Sequence, residues 1–201
     1  MFNRKAISLY EVLTIQTENK PAKMIILNLN TIGQDIEGVS EAFGLYMAES
    51  AAVCFHSQGH KSGVILPISD GNELENGQVE WANEMTNSVL ASHLDEKRTT
   101  DFGAMGVAVL LACHLTDYTI FRTSKTNNGY DFKLRKKDGD GNFMKAKLEI
   151  SGIRKETPQN TVKSRLSIKK KQILKRAKKN AICYVSVIEF SKPEAKFIQV
   201  L

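Results

Sequence analysis

Asp131 and Glu149 are the residues of this chain whose types and spacing could do chemistry. In YDFKLR, Tyr130, Phe132 and Leu134 alternate with Asp131, Lys133 and Arg135, the period of a strand with one apolar and one polar face. In KAKLEIS, Ala146, Leu148 and Ile150 share one face, and Lys145, Lys147, Glu149 and Ser151 share the other. Two neighbouring strands would then set two carboxylates beside lysines over an apolar floor. Such a pair can hold a hard divalent cation, which neutralises charge and makes a water nucleophilic. The plainer alternative is a wet sheet face on which two surface acids offset the lysines around them.

The elements that must position these acids follow from the surrounding pattern. The stretch from Asp117 to Ile153 predicts three short strands, with Asp131 in the second and Glu149 in the third. Before it, DFGAMGVAVLLACHL is apolar nearly all round and predicts a buried helix, capped by Thr99 or Thr100 with Asp101 in its first turn. Gly103, Ala104, Gly106 and Ala108 on that helix would let a sheet approach closely. After the strands, PQNTVKSRLSIKKKQILKRAKKN predicts a basic amphipathic helix, with Val162, Leu166, Ile173 and Leu174 inward and the cations outward. AICYVSVIEF then reads as a central strand covered on both faces, and SKPEAKFIQVL as a short terminal strand at most. A crossover helix between the third and fourth strands implies a mixed sheet.

This helix–strand–strand–strand–helix–strand order, with its two acids, resembles the core of the PD-(D/E)xK, restriction-endonuclease-like superfamily. The resemblance covers roughly residues 100 to 190. It implies a magnesium site made by Asp131 in Gly129-Tyr130-Asp131 and by Glu149 in Leu148-Glu149-Ile150-Ser151-Gly152. A lysine two residues after the second acid would complete the site, and here that position is Ser151. Lys147, two residues before Glu149, and Lys133, two after Asp131, are the nearest substitutes, so the implied catalytic set is Asp131, Glu149, Lys147 and Lys133. The implied activity is magnesium-dependent hydrolysis of DNA, in a bacterial defence or mobile-element setting. The superfamily also includes members that lost catalysis and kept binding, so the alternative is an inactive nuclease-fold module. The chain is also similar to an uncharacterised bacterial family with GYDFxL, LEISGI-type and YVSVIEF-type segments.

Charge supplies the second functional signal. The net charge is +6, and nine Lys or Arg residues with no acid run from Lys163 to Lys179. Arg165, Lys169, Lys170, Lys171, Lys175, Arg176, Lys178 and Lys179 would draw a polyanion, duplex DNA first, by phosphate contacts that position without reading sequence. A solvated helix face is the plainer alternative. No interleaving of aromatic residues points to single-strand stacking. A protein partner or a homodimer is the other class of partner considered, including an immunity-type role in which the acidic face is incidental.

Several further signals are weaker. Asp138, Asp140, Asn142 and Glu149 fall at EF-hand positions, but Phe143 stands where glycine is required, and a hairpin turn explains KDGDGN better. Asp101 could be a third acid, although helix capping suits it more. His56 and His60 have i, i+4 spacing interrupted by Gly59, His114 suits a helix C-terminus, and His93 carries no signal. Trp81 reads as a packing anchor. Cys54, Cys113 and Cys183 lie far apart in apolar stretches, with no CxxC pair to suggest zinc or a disulfide framework.

At 201 residues the expectation is one domain, with 1–98 forming a strand–helix–hairpin part and 99–201 the nuclease-like core. The fold class expected is α/β (α+β): a mixed central sheet flanked by helices. In the first part, SLYEVLTIQ is ambiguous between strand and helix, and KMIILNLNTI reads as a strand. DIEGVSEAFGLYMAESAAVCFHSQG has helical spacing ended by Gly59. SGVILPIS and QVEWANEM would pair as a hairpin across the polar loop SDGNELENGQ. No apolar run approaches the roughly 20 residues of a membrane span, and MFNRKAISLYEVLTIQ lacks the h-region of a signal peptide, so a cytoplasmic location is expected.

Overall fold

The computed structural model describes residues 24–71, 73–125, 128–137, 139–176 and 181–201. The fold is mixed α/β, with helices on both faces of one eight-stranded mixed sheet. In chain order the strands are β1 (Met24–Asn28), β2 (Val64–Asp70), β3 (Glu73–Glu80), β4 (Thr119–Thr123), β5 (Phe132–Lys137), β6 (Phe143–Ile153), β7 (Ile182–Glu189) and β8 (Glu194–Gln199). The helices are α1 (Glu41–Ser57), α2 (Asn87–Ser92), α3 (Glu96–Leu115) and α4 (Val162–Arg176). The sheet order is β1-β3-β2-β8-β7-β6-β5-β4. From α3 to β7 the elements follow the helix–strand–strand–strand–helix–strand order expected: β4, β5 and β6 form an antiparallel meander, and β7 returns parallel to β6 after α4.

Two apolar layers hold the sheet. On one face α1 and α3 pack over Leu148, Ile150, Phe132, Tyr184 and Phe197. Gly152 on β6 lets α3 come close, since a Cβ there would stand 2.6 Å from the Thr100 carbonyl oxygen. On the other face α4 sets Val162 and Ile173 against Ile153, Cys183, Val185 and Val187. β7 is buried on both faces, as its continuous apolar run predicts.

The structure moves several boundaries. The helix expected from Thr99 or Thr100 begins at Glu96, capped by Asp95, whose carboxylate accepts from the Arg98 N–H at 3.0 Å. Thr99 and Thr100 are inside it, bonding back to the carbonyls of His93 and Glu96. The segment ELENGQ, expected as loop, is in β3, while the chain after Glu80 leaves the sheet, so only the first three residues of QVEWANEM are strand. β3 is polar because its side chains are mostly exposed or half-exposed, which hides the strand period from the sequence. The first segment's helix begins at Glu41 with Ser40 as its cap, and the first strand ends at Asn28 in a 3-10 turn over Leu29–Thr31. Leu174, expected inward on α4, is 44% exposed. SLYEVLTIQ, Asp138, Lys178 and Lys179 lie outside the described residues.

Candidate active site

The site is built where β5 begins, β6 enters its buried half and α4 crosses above both. Gly129 turns the chain into β5 with φ 77°, and a Cβ there would stand 2.3 Å from Arg176 Cδ. The left-handed conformation favours glycine at that position, while the Arg176 side chain could move aside. The Asp131 N–H then donates to the Leu148 carbonyl at 2.8 Å, and the Ile150 N–H donates to Asp131 Oδ2 at 2.7 Å. The ladder pairs Phe132 with Leu148 and Lys133 with Lys147, which brings Asp131 and Glu149 side by side on the face beneath α4.

Glu149 is only 2% exposed and would be costly there without partners. It has two, both from α4: Lys169 Nζ at 2.5 Å and Gln172 Nε2 at 3.0 Å, each donating to Oε1. Lys169, Gln172 and Arg176 recur at i, i+3 and i+7, one helical face turned toward the acids. The helix carrying them is fixed at its start by Glu156, whose Oε1 accepts from the Val162 N–H at 2.5 Å. The Glu156 N–H in turn donates to the buried Glu189 at 3.3 Å, and Glu189 also accepts from Ser191 and the Lys192 N–H. Thus an acid at the end of β7 sets the loop that aims α4.

Asp131 and Glu149 line a cleft of about 450 Å³. Phe43, Phe102 and Met105 form one wall; Lys169, Gln172 and Arg176 form the other. Desolvation pushes the Asp131 carboxyl up to about 6, the neighbouring Glu149 charge pushes the same way, and the Ile150 N–H and Lys169 act in opposition. Asp101 joins this field from the second turn of α3. It is exposed, its carboxyl is raised mainly by partial desolvation, and Lys97, Lys169 and Arg165 lower it in turn. It is not in the first turn, where it was expected as a capping residue.

The two acids expected to share a face do so, with different cations near them. Lys133 and Lys147 lie opposite each other in the ladder, and Lys147 Nζ stands 5.0 Å from the centroid of the Tyr130 ring. The ammonium that meets Glu149 is that of Lys169, counted beforehand among the outward cations of the helix. Gln172 was missed; its helical spacing from Lys169 was the available signal. Arg165 donates from Nε and a terminal nitrogen to Asn160 Oδ1, at 3.1 and 2.7 Å. Lys171, Lys175 and Arg176 are exposed on α4, and Lys170 is half-buried. Ser151 is buried on β6.

The remaining signals resolve into structural roles. Of KDGDGN, residues 139–142 lie in the β5–β6 hairpin turn, where Lys137 pairs with Phe143 and Gly141 has φ 80°. Trp81 stacks on Phe55 with centroids 6.0 Å apart. His93, without a signal in the sequence, is buried between Glu49 Oε1 at 2.9 Å and the Thr99 hydroxyl at 3.4 Å. Cys54 and Cys183 are buried, and burial pushes the Cys54 thiol up to about 12, where it is inert. No helix among the described residues is long and apolar enough to cross a membrane.

The donor set suits a hard cation. Two adjacent carboxylates repel each other when both are ionised, and a cation between them removes that cost. Among the described residues no group of three or more His, Cys, Asp or Glu side chains could hold a metal ion. Asp131 and Glu149 are the two carboxylates that line the cleft. Compared with protein-family models, with curated proteins and with solved structures, the chain finds no match.

Proposed function

We propose that this is a nuclease-like protein that hydrolyses DNA phosphodiesters with magnesium held by Asp131 and Glu149, and with Lys169 in the role of the missing motif lysine. The observation that carries the reading is the Lys169–Glu149 contact of 2.5 Å beside Asp131. It supplies an ammonium to the acid pair from α4, where the motif position on β6 holds Ser151. The cation would neutralise phosphate charge and lower the pKa of an attacking water. Asp131 and Glu149 would hold it, each already oriented by a backbone or side-chain donor. Lys169, aimed in advance, would stabilise negative charge as it develops on the phosphoryl oxygens. Arg176 at the cleft rim and the exposed lysines of α4 would hold the substrate backbone. Incubation of nucleic acid with magnesium or manganese tests this: cleavage is expected from the native chain and absent from Asp131→Ala and Glu149→Ala. Intact substrate with the native chain under both metals would overturn it.

One observation favours a second reading, a nuclease-like module that binds without cutting. Glu149 is almost wholly buried and already satisfied by Lys169 and Gln172, as a structural ion pair would be. On that reading magnesium leaves the melting temperature unchanged, whereas a metal site raises it by mass action.

A further inference from the structure

Aromatic rings and cations, separated along the sequence, interleave on the sheet beside the cleft. On β5 the residues sharing the face of Asp131 are Lys133, Arg135 and Lys137; on β6 those sharing the face of Glu149 are Phe143, Lys145 and Lys147. The guanidinium of Arg135 lies 4.8 Å from the ring centroids of both Phe121 and Phe143. Lys137 stands 5.9 Å from Phe143, and Lys147 5.0 Å from Tyr130. A bulge between Ile120 and Arg122 in β4 brings Phe121 beside Arg135, to which β4's regular pairing gives Thr119 as partner. α4 packs over β6 and β7, leaving this wing open: Phe143 is 48% exposed, and Lys137 and Lys145 are exposed. Glu37, paired with Arg135, is an acid that offsets part of this charge.

We infer that this open face is a binding platform for single-stranded DNA that leads into the Asp131–Glu149 cleft. Two features select a single strand over a duplex. Exposed Phe143, with half-buried Phe121 and Tyr130 and cations beside each ring, suits unpaired bases and the phosphates between them, because every base has a stacking face. The acids, moreover, line a cleft beneath α4, with Glu149 2% exposed, a setting that suits a flexible strand better than a stiff duplex. The inference names the form of substrate for the site proposed above and rests on that reading for its direction, though not for its binding.

The test is fluorescence anisotropy of the full chain carrying Asp131→Asn, so that no probe is cut, with labelled oligo-dT, oligo-U and a duplex of equal length. Oligo-dT is expected to bind at least ten-fold more tightly than the duplex. Phe143→Ala should weaken oligo-dT roughly five-fold or more, the loss of one stacked base, and leave the duplex unchanged. Lys133→Ala, Lys145→Ala and Lys147→Ala combined should flatten the salt dependence, roughly 0.7 in slope for each lost phosphate contact. Equal affinity for duplex and oligo-dT, tighter binding of oligo-U, or no effect of Phe143→Ala in a folded variant would each overturn it. Cleavage by the native chain with no preference for single strands would sink the platform and leave the nuclease reading intact; the reverse outcome would do the opposite.

Discussion

At the scale of single residues, the carboxylate of Asp131 carries a cost in stability when ionised. Its carboxyl is raised from 3.8 to about 6, so the folded state holds its proton more tightly than the unfolded chain does. Stability contributed by this group is greatest below about pH 4 and falls as pH rises through the window up to about 6. Above that window the ionised group costs on the order of 1–3 kcal/mol. Asp131→Asn, which keeps an oxygen to accept from the Ile150 N–H, should therefore melt higher than the native chain at pH 7 to 8. The gain should shrink toward pH 4, while activity is lost. Calorimetric melts across that range check it, and a variant less stable at pH 8 would speak against the burial and repulsion described. Metal-dependent activity should fall as pH drops through about 6, because the protonated acid cannot hold a cation.

At the scale of elements, what was legible in the sequence was periodicity. The alternation in YDFKLR and KAKLEIS placed Asp131 and Glu149 on one face because register in a half-buried meander is set by that pattern. The turn of α4 was less legible, since a run of cations has no polarity of its own: Lys169 looks like Lys170 and Lys171 until Glu149 stands beneath it. The interleaving of Phe121, Phe143 and Tyr130 with cations was likewise invisible, because it arises across strands and through the bulge in β4. The start of α3 was misplaced because two threonines resemble caps, whereas Asp95 does the capping. Gly152 is where α3 and β6 meet, and Gly152→Ala would drive a Cβ into the Thr100 backbone and side chain. The expected loss is roughly 1–3 kcal/mol, a drop of several degrees on a thermal melt. Gly139→Ala, with open space around it, should change little.

At the scale of the whole molecule, the part from 99 to 201 is not a separate body of structure. β8 lies between β7 and β2, so the sheet runs without interruption from the meander into the strands of the first part. α3 packs along α1 closely enough that a Cβ at Gly103 would meet the Ala51 backbone at 3.1 Å. A fragment of residues 99–201 would expose the β8 edge and the apolar flank of α3 together. It should lack a cooperative thermal transition and near-ultraviolet circular dichroism; a native-like melt from the fragment would show that the first part is dispensable.

The role of Lys169 is tested most directly by the single-turnover cleavage rate at saturating single-stranded DNA, with magnesium, for the native chain, Lys169→Ala, Lys133→Ala and Lys147→Ala. A rate lowered by roughly 10² or more in Lys169→Ala alone, with the other two close to native, is the expected result. Undiminished cleavage by Lys169→Ala, or a loss confined to Lys133→Ala or Lys147→Ala, would contradict it.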